Sequence, residues 1–149
     1  MWQDKEIKTL SDITITFNKI RKNLFKMRKS KIELETILAN KAKANIYTLH
    51  NSISLIDLLI YKELKNIKEE YYFSNQKLFF IFSNEIELNA PFSSLFFDEN
   101  RIKTSKNSYF FIDNKMVRWI SNRKIDIKEY KTKENQLLSF AKFLLKKAQ

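Results

Sequence analysis

Apolar side chains along the chain recur mostly at helical spacing. Over residues 11–29, Ile13, Phe17, Ile20, Leu24 and Met27 lie alternately four and three apart, one stripe of a 3.6-residue helix. Ser11 or Asp12 is placed to cap it. Lys19, Lys22, Lys26 and Lys29 fall on the opposite side, and Arg21 and Arg28 flank the stripe. From residue 31 to residue 71 a longer pattern follows. Leu38, Ala42, Ile46, Leu49, Ile53, Ile56, Ile60, Leu64, Ile67 and Tyr71 are each three or four apart, with no Pro or Gly between them. Leu55, Leu58 and Leu59 widen the apolar arc, which predicts burial on more than one side. At 1.5 Å per residue this is a helix of about 60 Å, straight or bent near Asn51, Ser52 and Ser54.

Residues 72–111 hold nine of the 13 Phe. The run Leu78, Phe79, Phe80, Ile81, Phe82 fits helix or strand equally. Pro91 behind Asn89 marks a break and a new helix start, and residues 103–107 read as a loop. Residues 109–120, centred on Asp113 and Asn114, fit a short β-hairpin or a helix start. Residues 133–147 read as a closing helix, with Leu137, Leu138, Phe140, Ala141, Phe143 and Leu144 apolar and Thr132 as a cap. The expectation is a mainly α protein. It is one helical domain over residues 1–149, an antiparallel bundle of four or five helices around a long central helix (31–71), with a short β-hairpin near 109–120 as the alternative there.

Composition removes whole classes of chemistry. The 149 residues include no cysteine, so no disulfide, thiolate nucleophile or Cys-ligated zinc is expected. The chain has no glycine, which excludes the Walker loop, the dinucleotide fingerprint and the nucleophile elbow. The lone His50 reads as a helix histidine and not as an acid–base group. Glu69 and Glu70 read as a solvated face, Glu85 and Glu87 share one side if their segment is a strand, and no carboxylate set has metal-ligand spacing. No catalytic residue, metal or cofactor is therefore assigned. Residues 1–10 are charged and do not resemble a secretory signal, and no apolar run approaches a membrane span. A cytoplasmic protein without membrane contact is expected.

Charge changes the picture most. The net charge is +11, which points to a polyanionic partner, nucleic acid first. The bland alternative is AT-rich codon usage, because 23 of the 28 cations are Lys. Yet the charges are segregated. Residues 19–31 carry seven basic groups and no acid, residues 101–133 carry ten basic and three acidic, and residues 57–99 carry four basic and eight acidic. Uniform codon bias does not predict such blocks. The dense aromatics between Tyr71 and Phe111 read as core, because between Tyr71 and Phe97 only Lys77 is basic, whereas base-stacking platforms come with interleaved cations.

The stretch 116–130, with Arg118, Asn122, Arg123 and Asp126, leads into an Ala141…Phe143-Leu144 helix. In this outline the chain resembles the HEPN superfamily, small helical bundles that include ribonuclease toxins and partners in toxin–antitoxin and defence systems. The resemblance implies that 42–71 is the central helix. It also implies that the usual ribonuclease motif is absent: Asn122 precedes Arg123, no histidine follows, and Asp126 is followed by Ile127 and not by Tyr. Arg123 alone carries over, as a phosphate contact.

Two functions remain. The first is a non-catalytic nucleic-acid-binding protein of mobile-element or defence type, RNA preferred, with any enzymatic activity ribonuclease-like. It holds phosphates through Lys22, Lys26 and Lys29 in one block and Arg118, Arg123 and Lys124 in the other. The second is a protein–protein module, a helical homodimer or a subunit of a larger complex. The first expects the two blocks to converge on one face.

Overall fold

A computed structural model describes residues 6–34 and 41–149. Among them, two α-helices flank a seven-stranded antiparallel sheet. The order is α1 (Leu10–Asn23), a 3₁₀ turn (Leu24–Lys26), β1 (Arg28–Glu33), β2 (Lys41–Leu49), β3 (Ser52–Lys62), β4 (Lys65–Ser74) and β5 (Lys77–Glu87). There follow a 3₁₀ turn (Glu99–Arg101), β6 (Lys103–Ile112), β7 (Lys115–Ser121), a third 3₁₀ turn (Ile127–Glu129) and α2 (Tyr130–Ala148). The strands pair in chain order, β1 to β7, so β1 and β7 are the edges.

This overturns the expected helical bundle. The region taken for the long central helix (31–71) is β1 to β4, and Leu38, in its stripe, lies outside the described residues, as do 1–5 of the N-terminal segment. The likeness to HEPN bundles falls with that helix, and so does a dimer built on it. The physical reason lies in the spacing itself. A step of four residues keeps a side chain on one face of a strand as well as of a helix. The three-residue steps are where a helix differs, and each coincides with an irregularity. The step from Ile46 to Leu49 spans the register shift at Tyr47/Thr48, the step from Ile53 to Ile56 spans Ser54, the extra residue opposite that shift, and the step from Leu64 starts in a turn. The turns carry no glycine to announce them. His50–Asn51, Asn75–Gln76 and Asp113–Asn114 have positive φ at both positions, the signature of type I′ hairpins. His50 is thus an exposed turn residue, not a helix histidine. The hairpin alternative at 109–120 corresponds to the β6–β7 turn at Asp113–Asn114, inside the sheet.

The end helices form where their stripes lie, with shifted bounds. Thr9, and not Ser11, caps α1: its Oγ1 accepts from Asp12 N at 3.1 Å, and Asp12 Oδ2 accepts from Thr9 N at 3.1 Å. Thr132 lies inside α2 and does not cap it. α1 lays Ile13 and Ile20 on one face of the sheet, with Phe17 edge-on to Tyr72 and Phe80 at 4.9 and 5.3 Å. One register row crosses that face through all seven strands: Lys29, Tyr47, Leu55, Tyr72, Phe80, Phe110, Arg118. It is apolar at the centre and cationic at both edges. α2 covers the other face with Leu137, Ala141 and Leu144 against Ile56, Tyr71, Ile81 and Tyr109. Buried Glu134 accepts from Met116 N at 2.6 Å and the Tyr130 hydroxyl donates to Met116 O at 2.7 Å, so α2 ties up the backbone of edge strand β7. Among the described residues no helix is long and apolar enough to cross a membrane.

Candidate nucleic-acid interface

The first basic block folds into one continuous edge. Because Ile13, Thr16 and Ile20 turn inward, Lys19 and Lys22 face solvent. α1 ends where the Asn23 side-chain amide donates to Lys19 O at 2.7 Å, satisfying a terminal carbonyl. The 3₁₀ turn then redirects the chain, and buried Met27 anchors it before β1 starts. The turn holds Phe25 outward, 81% exposed, with Lys26 Nζ 5.5 Å from its ring centroid. Along β1, Lys29 and Lys31 pair with Tyr47 and Asn45 on the α1 face, and Lys29 Nζ lies 5.8 Å from the Tyr47 ring centroid.

Lys22, Lys26, Arg28, Lys29 and Lys31 are all exposed in the segment that displays Phe25, and Lys26 stands over its ring. Among the described residues no carboxylate forms an ion pair with any of these five. Arg21, in the same block, is different: Nη1 reaches Glu70 Oε2 at 3.3 Å and the Tyr72 hydroxyl at 3.5 Å, so it fastens α1 to the sheet. Glu70 is correspondingly a paired residue and not part of a free solvated face.

The second block does not stay together. Arg118 sits on β7, on the α1 face but at the opposite edge from Lys29. Six inter-strand spacings separate them, about 29 Å measured along the sheet at ~4.8 Å each. Arg123 and Lys124 follow β7 and line a cavity on the α2 face, with Glu69, Glu85, Glu129 and Lys133. The six residues singled out by charge thus divide into a cluster of three (Lys22, Lys26, Lys29), an outlier on the same face (Arg118), and a pair on the other face (Arg123, Lys124).

Sequence reasoning missed Phe25. Its signal was present: an aromatic residue off the apolar stripe, between Lys22 and Lys26. It also missed Glu69. That side chain is half-buried on the α2 face, accepts from the Tyr71 hydroxyl at 3.0 Å, and is pushed above the usual carboxylate range by burial. Among the described residues no group of three His, Asp or Glu is arranged to hold a metal ion. No protein-family model matches the chain, and neither a curated protein nor a solved structure matches it.

Proposed function

We propose that this protein binds single-stranded nucleic acid, RNA above all, without cleaving it, through the edge formed by α1, its 3₁₀ turn and β1. Lys22, Lys26 and Lys29, with Arg28 and Lys31, hold phosphates. Phe25 stacks a base. The reading assigns the protein to the cytoplasm, where single-stranded RNA is abundant. Arg118 is reached only by a strand that crosses the sheet, and Arg123 and Lys124 serve a different site.

The observation that carries the reading is the exposed Phe25 ring beside Lys26, in a basic segment whose Lys22, Lys26, Arg28, Lys29 and Lys31 have no ion-paired carboxylate among the described residues. Lysines on an edge strand have another use, since charge there blocks edge-to-edge pairing of sheets. That use accounts for Arg28, Lys29 and Lys31, but it would be undermined by an apolar ring displayed beside them. Stacking plus phosphate neutralisation uses both.

The test is the salt dependence of binding to a fluorescent oligouridine. Each lost phosphate contact on a single strand flattens the slope of log affinity against log salt by ~0.7. Replacing Lys22, Lys26 and Lys29 with Gln is therefore expected to flatten it by about 2. The control replaces Lys142, Lys146 and Lys147, exposed on α2, and leaves the slope nearly unchanged. Equal losses in both variants mean that binding follows total charge, and the edge is not a site.

A second reading has its own observation. The β5–β6 connection displays Phe92, Leu95 and Phe96 at 73, 101 and 82% exposure. Its backbone is nevertheless fastened: Asn89 donates to Phe96 O at 2.7 Å and accepts from Asp98 N at 3.0 Å. Apolar side chains held out on a tied loop suit a protein partner. If the chain self-associates through them, Phe92→Ser with Phe96→Ser shifts the sedimentation coefficient to that of a monomer.

A further inference from the structure

The α2 face of the sheet changes chemistry half-way across. Two neighbouring register rows show it. In the first, Ile32, Ala44 and Leu58 on β1–β3 give way to Glu69, Ser83, Asn107 and Ser121 on β4–β7. In the second, Ala42, Ile60 and Ile67 on β2–β4 give way to Glu85 and Ser105. The sheet thus has an apolar solution for these rows and uses it on one side only. On the other side, six hydrogen-bonding side chains line a cavity of about 360 Å³, together with Tyr109, Trp119, residues 123–125 and the start of α2. Ser83 and Ser105 are buried there. Polar groups cost free energy at such positions unless they are bonded or wet, and the volume lies within the range of small-molecule sites.

Acids and bases both line the cavity, with Glu69 and Glu85 half-buried and Arg123, Lys124 and Glu129 exposed. The floor has the carboxyls of Glu69 and Glu85 and the hydroxyls of Ser83, Ser105 and Tyr109. Asn107 Oδ1 is taken by Trp119 Nε1 at 2.9 Å, which leaves its amide N–H groups to donate. The cations lie at the mouth: Arg123 and Lys124 are exposed, and Lys133 Nζ stands 5.9 Å from the Trp119 ring centroid. A ligand that fits has vicinal hydroxyls, which donate to carboxylates and accept from an amide; a C–H face for the indole; and an anionic group that the floor repels and the mouth attracts.

We propose that this cavity binds a phosphorylated sugar of pentose size, hydroxyls inward on Glu69, Glu85 and Asn107, phosphate outward on Arg123 and Lys124. The site is separate from the basic edge and stands or falls independently of RNA binding there.

The experiment is isothermal titration of the full chain with ribose 5-phosphate, ribose and inorganic phosphate. Ribose 5-phosphate is expected to bind at least about tenfold tighter than either fragment, since hydrogen bonds to charged groups carry much of the affinity. Arg123→Gln with Lys124→Gln is expected to weaken ribose 5-phosphate by about tenfold or more while leaving ribose unchanged. Asn107→Ala weakens both sugars, by roughly two- to tenfold for one lost neutral hydrogen bond. Glu69→Gln, which retains shape and can still accept from Tyr71, is the second floor variant in case Asn107→Ala does not fold. Lys22→Gln with Lys26→Gln changes nothing. No heat and no Trp119 fluorescence change with ribose 5-phosphate at ten millimolar overturns the proposal. So does phosphate binding as tightly as ribose 5-phosphate, or floor variants that bind like the parent.

Discussion

Cations gather at two places in this molecule, and their company differs. On the α1–β1 edge, Lys22, Lys26, Arg28, Lys29 and Lys31 stand exposed in the segment that holds Phe25 outward, with no carboxylate ion-paired to them among the described residues. The α2-face cavity is lined by acids as well as bases: Glu69 and Glu85 are half-buried, while Arg123, Lys124 and Glu129 are exposed. The first arrangement is exposed and predominantly basic. The second is concave and of mixed sign. The net charge of +11 therefore does not describe one kind of surface.

The largest effect that sharpens this contrast is expected at Phe25. Base stacking on an aromatic ring is worth about 1–3 kcal/mol per base, so Phe25→Ala should weaken oligouridine binding roughly 5- to 150-fold. The salt slope should stay as it is, because no phosphate contact is lost. Fluorescence anisotropy at several salt concentrations checks both. A slope that flattens along with the affinity would mean that Phe25 only shapes the patch.

Next in size is Glu134, the hinge between α2 and β7. Glu134→Ala strips the hydrogen bond from Met116 N and a close partner from Lys131 Nζ at 2.6 Å. Leaving a buried donor unpaired costs about 1–3 kcal/mol, measurable by urea denaturation. The side-chain bond from Lys131 and the backbone bond from Met116 hold this carboxyl below its ordinary value. Its contribution is accordingly present above the unfolded-state pKa near 4.5 and is lost as pH falls through the folded value. The gap between parent and variant should narrow on acidification.

Glu69 gives the smallest and opposite effect. Burial raises its folded pKa, so the protonated form favours folding and that contribution is lost as pH rises through the folded value. Glu69→Gln, with Tyr71 still bonded, should gain stability at neutral pH relative to the parent, and the gain should shrink as pH falls through the raised folded value, to be gone below the unfolded value near 4.5. A carboxylate that is costly to the fold yet placed on a cavity floor fits binding better than packing. A loss of stability at neutral pH in this variant would contradict that.

Both end helices are legible because their stripes are uninterrupted and short. The strands were not, because hairpins that place Asn, Asp and His at positive φ hide the turns glycine normally marks. Bulges then convert a period of two into an imitation of 3.6. The basic edge is legible as a block of charge, since residues 19–31 stay local whatever they form. Phe25 required knowing that the helix stops at Asn23. The cavity was illegible for a different reason. Glu69, Ser83, Asn107 and Ser121 come from four strands, and only the register puts them in one row.

A ¹⁵N–¹H NMR titration tests the separation of the two sites most directly. Oligouridine should shift amides of residues 22–31 and leave those of 105–109 and 119–124 in place. Ribose 5-phosphate should do the reverse, and the two ligands together should give the sum. Oligouridine shifts centred on the cavity, or spread evenly over every lysine-rich surface including α2, would contradict the account.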